Sequence, residues 1–309
     1  MKHTLRVTLA LVAFFFLAQI VGLVIVNQYI DHKKTVEAKE IVYKPLPYDL
    51  ERPRVEDQST SFLYVFIPIL VGTAMLFLII KANKPIIWKI IYFISIVSTL
   101  TIAFSAFMSQ LAAGILALIL GILKLYKPGV IIQNLSEIFI YGGLAAFVVN
   151  IFNLFSVFML LILISIYDFI AVYKTKHMVK LAEFQSNSKI FAGLFIPYER
   201  GRVSMASKIP EKYLLKKPGK FSKAPSEKSV AVLGGGDIGF TLIFAGVVMK
   251  ALMLQDTFLV GFFKALIIPV FATAALFILL MKGQQNKFYP AMPVLSLGCF
   301  VGFLVVWLV

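Results

Sequence analysis

Two aspartates interrupt long apolar runs of this chain. Asp168 lies within Phe155–Tyr173 (FSVFMLLILISIYDFIAVY), and Asp237 lies within Val230–Leu252 (VAVLGGGDIGFTLIFAGVVMKAL). A carboxylate near the centre of a membrane-spanning helix costs about 2.5–3.5 kcal/mol on insertion scales, so such residues are rare and by default functional. Alone, each aspartate also reads as a structural hydrogen-bond partner or a proton relay. As a pair they suggest hydrolysis: carboxyls a few ångströms apart cannot both ionise cheaply, so one serves as acid and the other as base. The two runs are consecutive spans joined by one long loop, which can return both carboxyls to the same bilayer depth.

The elements that must carry these residues follow from hydropathy. Sixty per cent of the 309 residues are hydrophobic and mean hydropathy is +0.90, far outside the soluble range. A span needs about 20 apolar residues. Nine segments are expected to cross: Leu5–Val26, Phe62–Ile80, Ile86–Phe104, Ser109–Leu123, Gly129–Val149, Phe155–Tyr173, Val230–Val248, Thr257–Leu280 and Phe288–Val309, the fourth being short. The expected fold class is an all-α polytopic membrane protein of one transmembrane domain, residues 1–309. Six spans fill 1–173, a loop covers 174–229, and three spans fill 230–309. The first run exceeds a signal-peptide core of about 7–15 residues and no small-residue cleavage site follows, so it reads as a retained helix.

The formal charge of +15 needs no nucleic acid to explain it. Lysines and arginines cluster in alternate loops, as the positive-inside rule requires. Inside segments hold Lys2, Arg6, Lys81, Lys84, Lys89, Lys124, Lys127, Lys282 and Lys287, and the 174–229 loop adds thirteen. The outer side holds six in Asn27–Ser61, plus Lys250. Leaving out both long loops, nine basic residues inside face one outside. The amino terminus is therefore expected in the cytoplasm and the carboxyl terminus outside. The first outer loop, with Pro45, Pro47 and Pro53, reads as an extended or partly ordered segment.

That topology decides whether the aspartates meet. Asp168 lies five residues before the inner end of its span at Tyr173, and Asp237 seven after the inner start at Val230. At a rise of 1.5 Å per residue, both sit about 8–10 Å below the inner surface. Gly234, Gly235 and Gly236 each weaken a helix by about 1 kcal/mol, so that entry is expected to be irregular. Non-helical backbone at membrane depth is tolerated only within protein or beside a water-filled cavity. Pro290-Ala291-Met292-Pro293 opens the ninth span at the same surface, short of two amide donors. Ala231-Val232-Leu233 reads either as the first turn of span seven or as a strand edge for an extended substrate, with a second edge before Pro290. The apolar patch Ile190–Tyr198 either lies on the inner membrane face or packs against the helices.

Other chemistries are excluded by what is missing. His3, His32 and His177 all lie outside the spans, so neither an intramembrane Ser–His pair nor a helical HExxH zinc site can be built. No metal or cofactor is expected. Cys299 is the single cysteine, which rules out an intrachain disulfide and reads as a small core residue. Tyr167 reads as a packing aromatic; Glu137 and Lys264 either pair or snorkel and receive no role.

Three motifs together resemble one family. Tyr167-Asp168, within Ile166–Val172, is similar to the YD motif of presenilins and signal peptide peptidases. Gly234-Gly235-Gly236-Asp237 resembles their GxGD motif, with glycine where leucine is common. Pro290-Ala291-Met292 resembles PAL, with methionine replacing leucine. The resemblance implies an intramembrane aspartyl protease with Asp168 and Asp237 catalytic, and with Tyr167, Gly234–Gly236 and Pro290–Pro293 positioning substrate. A cytoplasmic amino terminus and PAMP followed by Val294 resemble presenilins more than signal peptide peptidases. The short chain resembles prokaryotic (archaeal) homologues, which implies action without accessory subunits. Single-span or signal-peptide-like membrane substrates and the bilayer are the implied partners, and a homo-oligomer is compatible with the sequence. A proton- or cation-conducting channel or transporter using the same aspartates is the alternative.

Overall fold

The computed structural model describes residues 5–82, 84–175, 191–198, 229–283 and 289–308. His177, Ile190, the lysine-rich stretch before Ser229, Lys287 and Phe288 lie outside these residues. Apolar helices dominate the chain: α1 (Leu5–Gln28), α3 (Ser61–Lys81), α4 (Pro85–Ser105), α5 (Gln110–Tyr126), α6 (Val130–Val148), α7 (Leu154–Phe169), α8 (Gly235–Gln255), α9 (Phe258–Ala265), α10 (Ile267–Lys282) and α11 (Met292–Leu308). A short helix, α2 (His32–Ala38), orders the first loop, aided by an isolated bridge between Ile30 and Tyr43. Among the described residues, seven helical segments are long and apolar enough to cross a membrane, with α9 and α10 counted as one. The helices α5 and α11, at 17 residues each, are shorter. Helices of this length and apolarity make the chain an integral multi-pass membrane protein.

The expected eighth span breaks at Leu266. Pro269 lacks the amide that would bond the Ala265 carbonyl, so α9 ends there and α10 begins at Ile267. The expected seventh span is corrected at both ends. Its first residues are not helical but form a strand, and its helix runs on from Gly235 to Gln255. Lys250 is therefore not a loop residue. It lies within α8 and donates to the Val149 carbonyl at 3.0 Å. Lys124 likewise lies inside α5 and is buried.

Burial sets the layers. In α8, 72% of the apolar window is enclosed, against 11% in α3, so α8 is central and α3 peripheral. Around α8 pack α1, α6, α7, α9 and α11, while α4 and α5 form a second apolar cluster against α6. Two glycines allow one of the close crossings. A Cβ on Gly142 would stand 3.1 Å from the Gly22 Cα, and one on Gly22 would overlap Leu242, so α1, α6 and α8 meet there at backbone range.

The all-α expectation misses one feature. A two-stranded antiparallel sheet pairs β1 (Gly193–Tyr198) with β2 (Ser229–Gly234), with Gly193 opposite Gly234 and Phe195 opposite Val232. The apolar patch of the sixth loop thus supplies a strand packed against the helices. The lead-in to α8 is extended because three glycines disfavour continuing the helix backwards, while Val230 and Val232 favour a strand.

Candidate active site

Asp168 closes the regular part of α7, which is followed at once by a π-helical turn, Ile170–Lys174. Asp237 lies in the first turn of α8, after Gly234 at the N-cap, where the helix dipole favours a carboxylate. Both side chains are half-buried. They come close enough for the charge of Asp168 to act on Asp237. The structure therefore brings together the two acids selected from sequence, at the ends of two different helices.

PAMP lies against Asp168. The Met292 amide donates to Asp168 Oδ2 at 3.1 Å, and the Ala291 amide also reaches that carboxyl. The first N–H groups of any helix lack intrahelical partners, and a proline on either side of Ala291 and Met292 removes the competing donors. The Asp168 carboxyl thus accepts from the unpaired amides at the start of α11. One turn further along, Ser165 and Ser296 hydrogen-bond at 2.8 Å and tie α7 to α11 at that level. Pro290 is buried, and the segment immediately before Tyr289 lies outside the described residues.

The glycines work differently from one another. The Gly234 amide faces Asp237, and a Cβ there would stand 3.3 Å from Asp237 Oδ2. A Cβ on Gly235 would fall 2.0 Å from the Tyr141 hydroxyl, whereas one on Gly236 would only touch Phe240 at 3.4 Å. Tyr167 turns away to α3, its hydroxyl 3.1 Å from Thr73 Oγ1 and its ring edge-on to Phe66.

The sheet adds a second feature beside the acids. The Phe195 backbone is bonded from outside the sheet, so the Phe195–Val232 pair is a non-hydrogen-bonded one and both residues point their N–H and C=O groups outward. By the same alternation Gly234 also points outward on β2, and it is the Gly234 amide that faces Asp237. The outer edge of β2 therefore runs toward Asp237. Among the described residues no strand is paired to it, and Val232 is 46% exposed.

Several polar residues near the acids were not singled out from sequence. Gln19 of α1 donates to the Ile238 carbonyl at 3.0 Å and to Thr241 Oγ1 at 2.8 Å; Thr241 in turn donates to the Asp237 carbonyl. Glu137, left without a role, accepts from Lys124 and from Tyr141, and Gln133 donates to it at 2.9 Å. Lys264 pairs with Asp256 at 2.9 Å, well away from the acids in sequence and on the other end of α8. The signal available for the missed group was the spacing of Gln133, Asn134, Glu137 and Tyr141, which puts one polar stripe on an otherwise apolar helix.

Comparison with known proteins agrees with this architecture. Residues 47–309 match the sequence profile of the family described as signal-peptide peptidase, presenilin aspartyl protease. The chain belongs to that family. Two solved structures share its fold, each described as a presenilin family intramembrane aspartate protease. The C222 crystal form aligns with a TM-score of 0.60 at 17% identity over 97% of this chain and 98% of the other. The P2 form gives 0.57 at 16% identity over 97% of both chains. No curated protein sequence matches the chain.

Proposed function

We propose that the protein hydrolyses peptide bonds within transmembrane helices of other membrane proteins, with Asp168 and Asp237 as its acid–base pair. One carboxylate takes a proton from water as the water attacks the scissile carbonyl. The other, protonated, hydrogen-bonds the carbonyl oxygen and later passes a proton to the departing amide nitrogen. The observation that carries the reading is the convergence of both acids beside an open strand edge at the start of α8. A transmembrane helix hides its own amides, so a substrate must unwind before attack, and an extended segment needs backbone partners. The outward groups of Val232 and the outward carbonyl of Gly234 supply them by strand addition.

Further parts of this reading are that nine segments cross the bilayer with the amino terminus inside, that the substrates are single-span or signal-peptide-like, and that no accessory subunit or cofactor is needed. The test is purified protein, reconstituted with a single-span substrate, with products mapped by mass spectrometry. Cleavage inside the membrane segment is expected, and Asp168→Asn or Asp237→Asn should each abolish it while the fold persists, because either half is useless alone. Substantial residual cleavage in either variant overturns the pair.

A further inference from the structure

A two-stranded sheet has two outer edges, and among the described residues only the β2 edge is open. On the β1 edge, Asn134 of α6 makes both bonds that a neighbouring strand would make. Its Oδ1 accepts from the Phe195 amide at 2.9 Å, and its Nδ2 donates to the Phe195 carbonyl at 2.8 Å. Gln133 Nε2 donates to the Phe191 carbonyl at 2.9 Å and to the Gly193 carbonyl at 3.0 Å. The next outward position, Pro197, has no amide to offer. Side chains on a helix thus take the place of a strand along β1 from Gly193 to Phe195.

The Gln133 amide is itself held. The two hydrogens on its Nε2 are shared among the Phe191 and Gly193 carbonyls and Glu137, whose carboxylate is paired with Lys124 and takes the Tyr141 hydroxyl. Lys124 and Glu137 side chains are 2% and 1% exposed. Apolar packing is a cheaper way to join α5 to α6 than a buried ion pair, so a pair placed here fixes the geometry of something else. It fixes Gln133, one turn before Glu137 and adjacent to Asn134.

We infer that Asn134 and Gln133, braced by the Lys124–Glu137 pair, form a surrogate strand that closes the β1 edge and leaves the β2 edge beside Asp237 as the place where an extended substrate adds. Asn134 is then a positioning residue for proteolysis, acting through the sheet and not on the reacting atoms. The inference rests on the reading of the site as an intramembrane protease. It explains why a sheet of only two strands, marginal in isolation, persists at membrane depth: an unpaired edge there is costly, and side-chain amides satisfy one of the two.

The test uses the full-length protein with Asn134→Leu, which keeps volume and removes both bonds, and Asn134→Asp, which keeps the acceptor and sets a second oxygen against the Phe195 carbonyl. Amide hydrogen exchange over residues 193–198 and 229–234 should speed up about tenfold in both, as expected for losing about one net hydrogen bond. For a single-span substrate, KM should rise about tenfold while kcat stays within about twofold, since the sheet holds substrate and the acids are untouched. A merely structural role would lower the active fraction and leave KM alone. Unchanged exchange in the sheet, or unchanged KM with faster exchange, overturns the inference. If the leucine variant does not fold, the aspartate variant carries both readouts. The exchange measurement needs no substrate, so it still decides the surrogate strand if the wild-type protein cleaves nothing, an outcome that would instead overturn the protease reading.

Discussion

Gly235 and Gly236 are adjacent in one motif, yet the fold constrains only the first of them. At Gly235 the constraint is internal: the Tyr141 hydroxyl and ring fill the space a side chain would take, and Tyr141 is buried with its hydroxyl on Glu137. Gly235→Ala should therefore cost about 1–3 kcal/mol as overpacking, with activity lost in proportion to folded protein. At Gly236 no described atom comes closer than 3.4 Å, and the residue is exposed beside Asp237. Its glycine fits the close approach of another backbone. Gly236→Ala should leave the melting temperature unchanged and raise KM, and normal cleavage by that variant would show that substrate does not pass over Gly236. At this scale the sequence was readable for acids and not for Lys124. An aspartate within an apolar run has one obvious interpretation. Lys124, the first polar residue after Leu123, looked like a loop charge, and only the turn between α5 and α6 brings it onto Glu137.

Strand β2 shows the same division between local and non-local information. Three glycines preceded by Val230 and Val232 mark an irregular entry to α8 and leave a first helical turn and a strand both open. Its partner is set by contact with residues 193–198, about 35 positions away in sequence, which no local pattern specifies. The second edge expected for the substrate, before Pro290, falls largely outside the described residues; the Ala291 and Met292 amides that follow it face Asp168. The register makes a sharp paired prediction. Val232→Pro removes an outward amide and no ladder bond, so the fold should survive while cleavage falls at least about tenfold. Leu233→Pro, one residue on, removes an inward amide from a buried position opposite Leu194, and should destabilise the sheet as well. Equal behaviour of the two variants would mean that the β2 edge is not where substrate binds. A cleavage rate near wild type in Val232→Pro would remove strand addition and leave the acid pair standing.

For the whole molecule, the placement of two lysines sharpens the orientation argument. Lys124 and Lys250 entered the loop charge balance on opposite sides, yet Lys124 is buried between α5 and α6, and Lys250 is half-buried within α8 with its ammonium on the Val149 carbonyl. What remains in the short connections and the amino-terminal segment is Lys2, Arg6, Lys81, Lys84, Lys89, Lys127, Lys282 and Lys287, all on the side expected to be cytoplasmic. The starts of α8 and α11, the end of α7 and the sheet all belong to that side, so the acids should draw water from the cytoplasm. In a Cys299→Ala background, single cysteines at Glu37, Lys127 and Gly236 test this with a membrane-impermeant thiol reagent. All three positions are exposed, the first in the long loop expected outside, the second between α5 and α6, the third beside Asp237. Glu37→Cys should react in right-side-out vesicles only, and Lys127→Cys in inside-out vesicles only. Gly236→Cys should follow Lys127→Cys, because hydrolysis at the dyad requires a water path and that path has to open where the strand edge lies. Labelling of Gly236→Cys from the outer face would place the site's mouth on the wrong side of the bilayer for a cytoplasmic-side protease, and protection from both faces would leave the two acids without the water the reaction consumes.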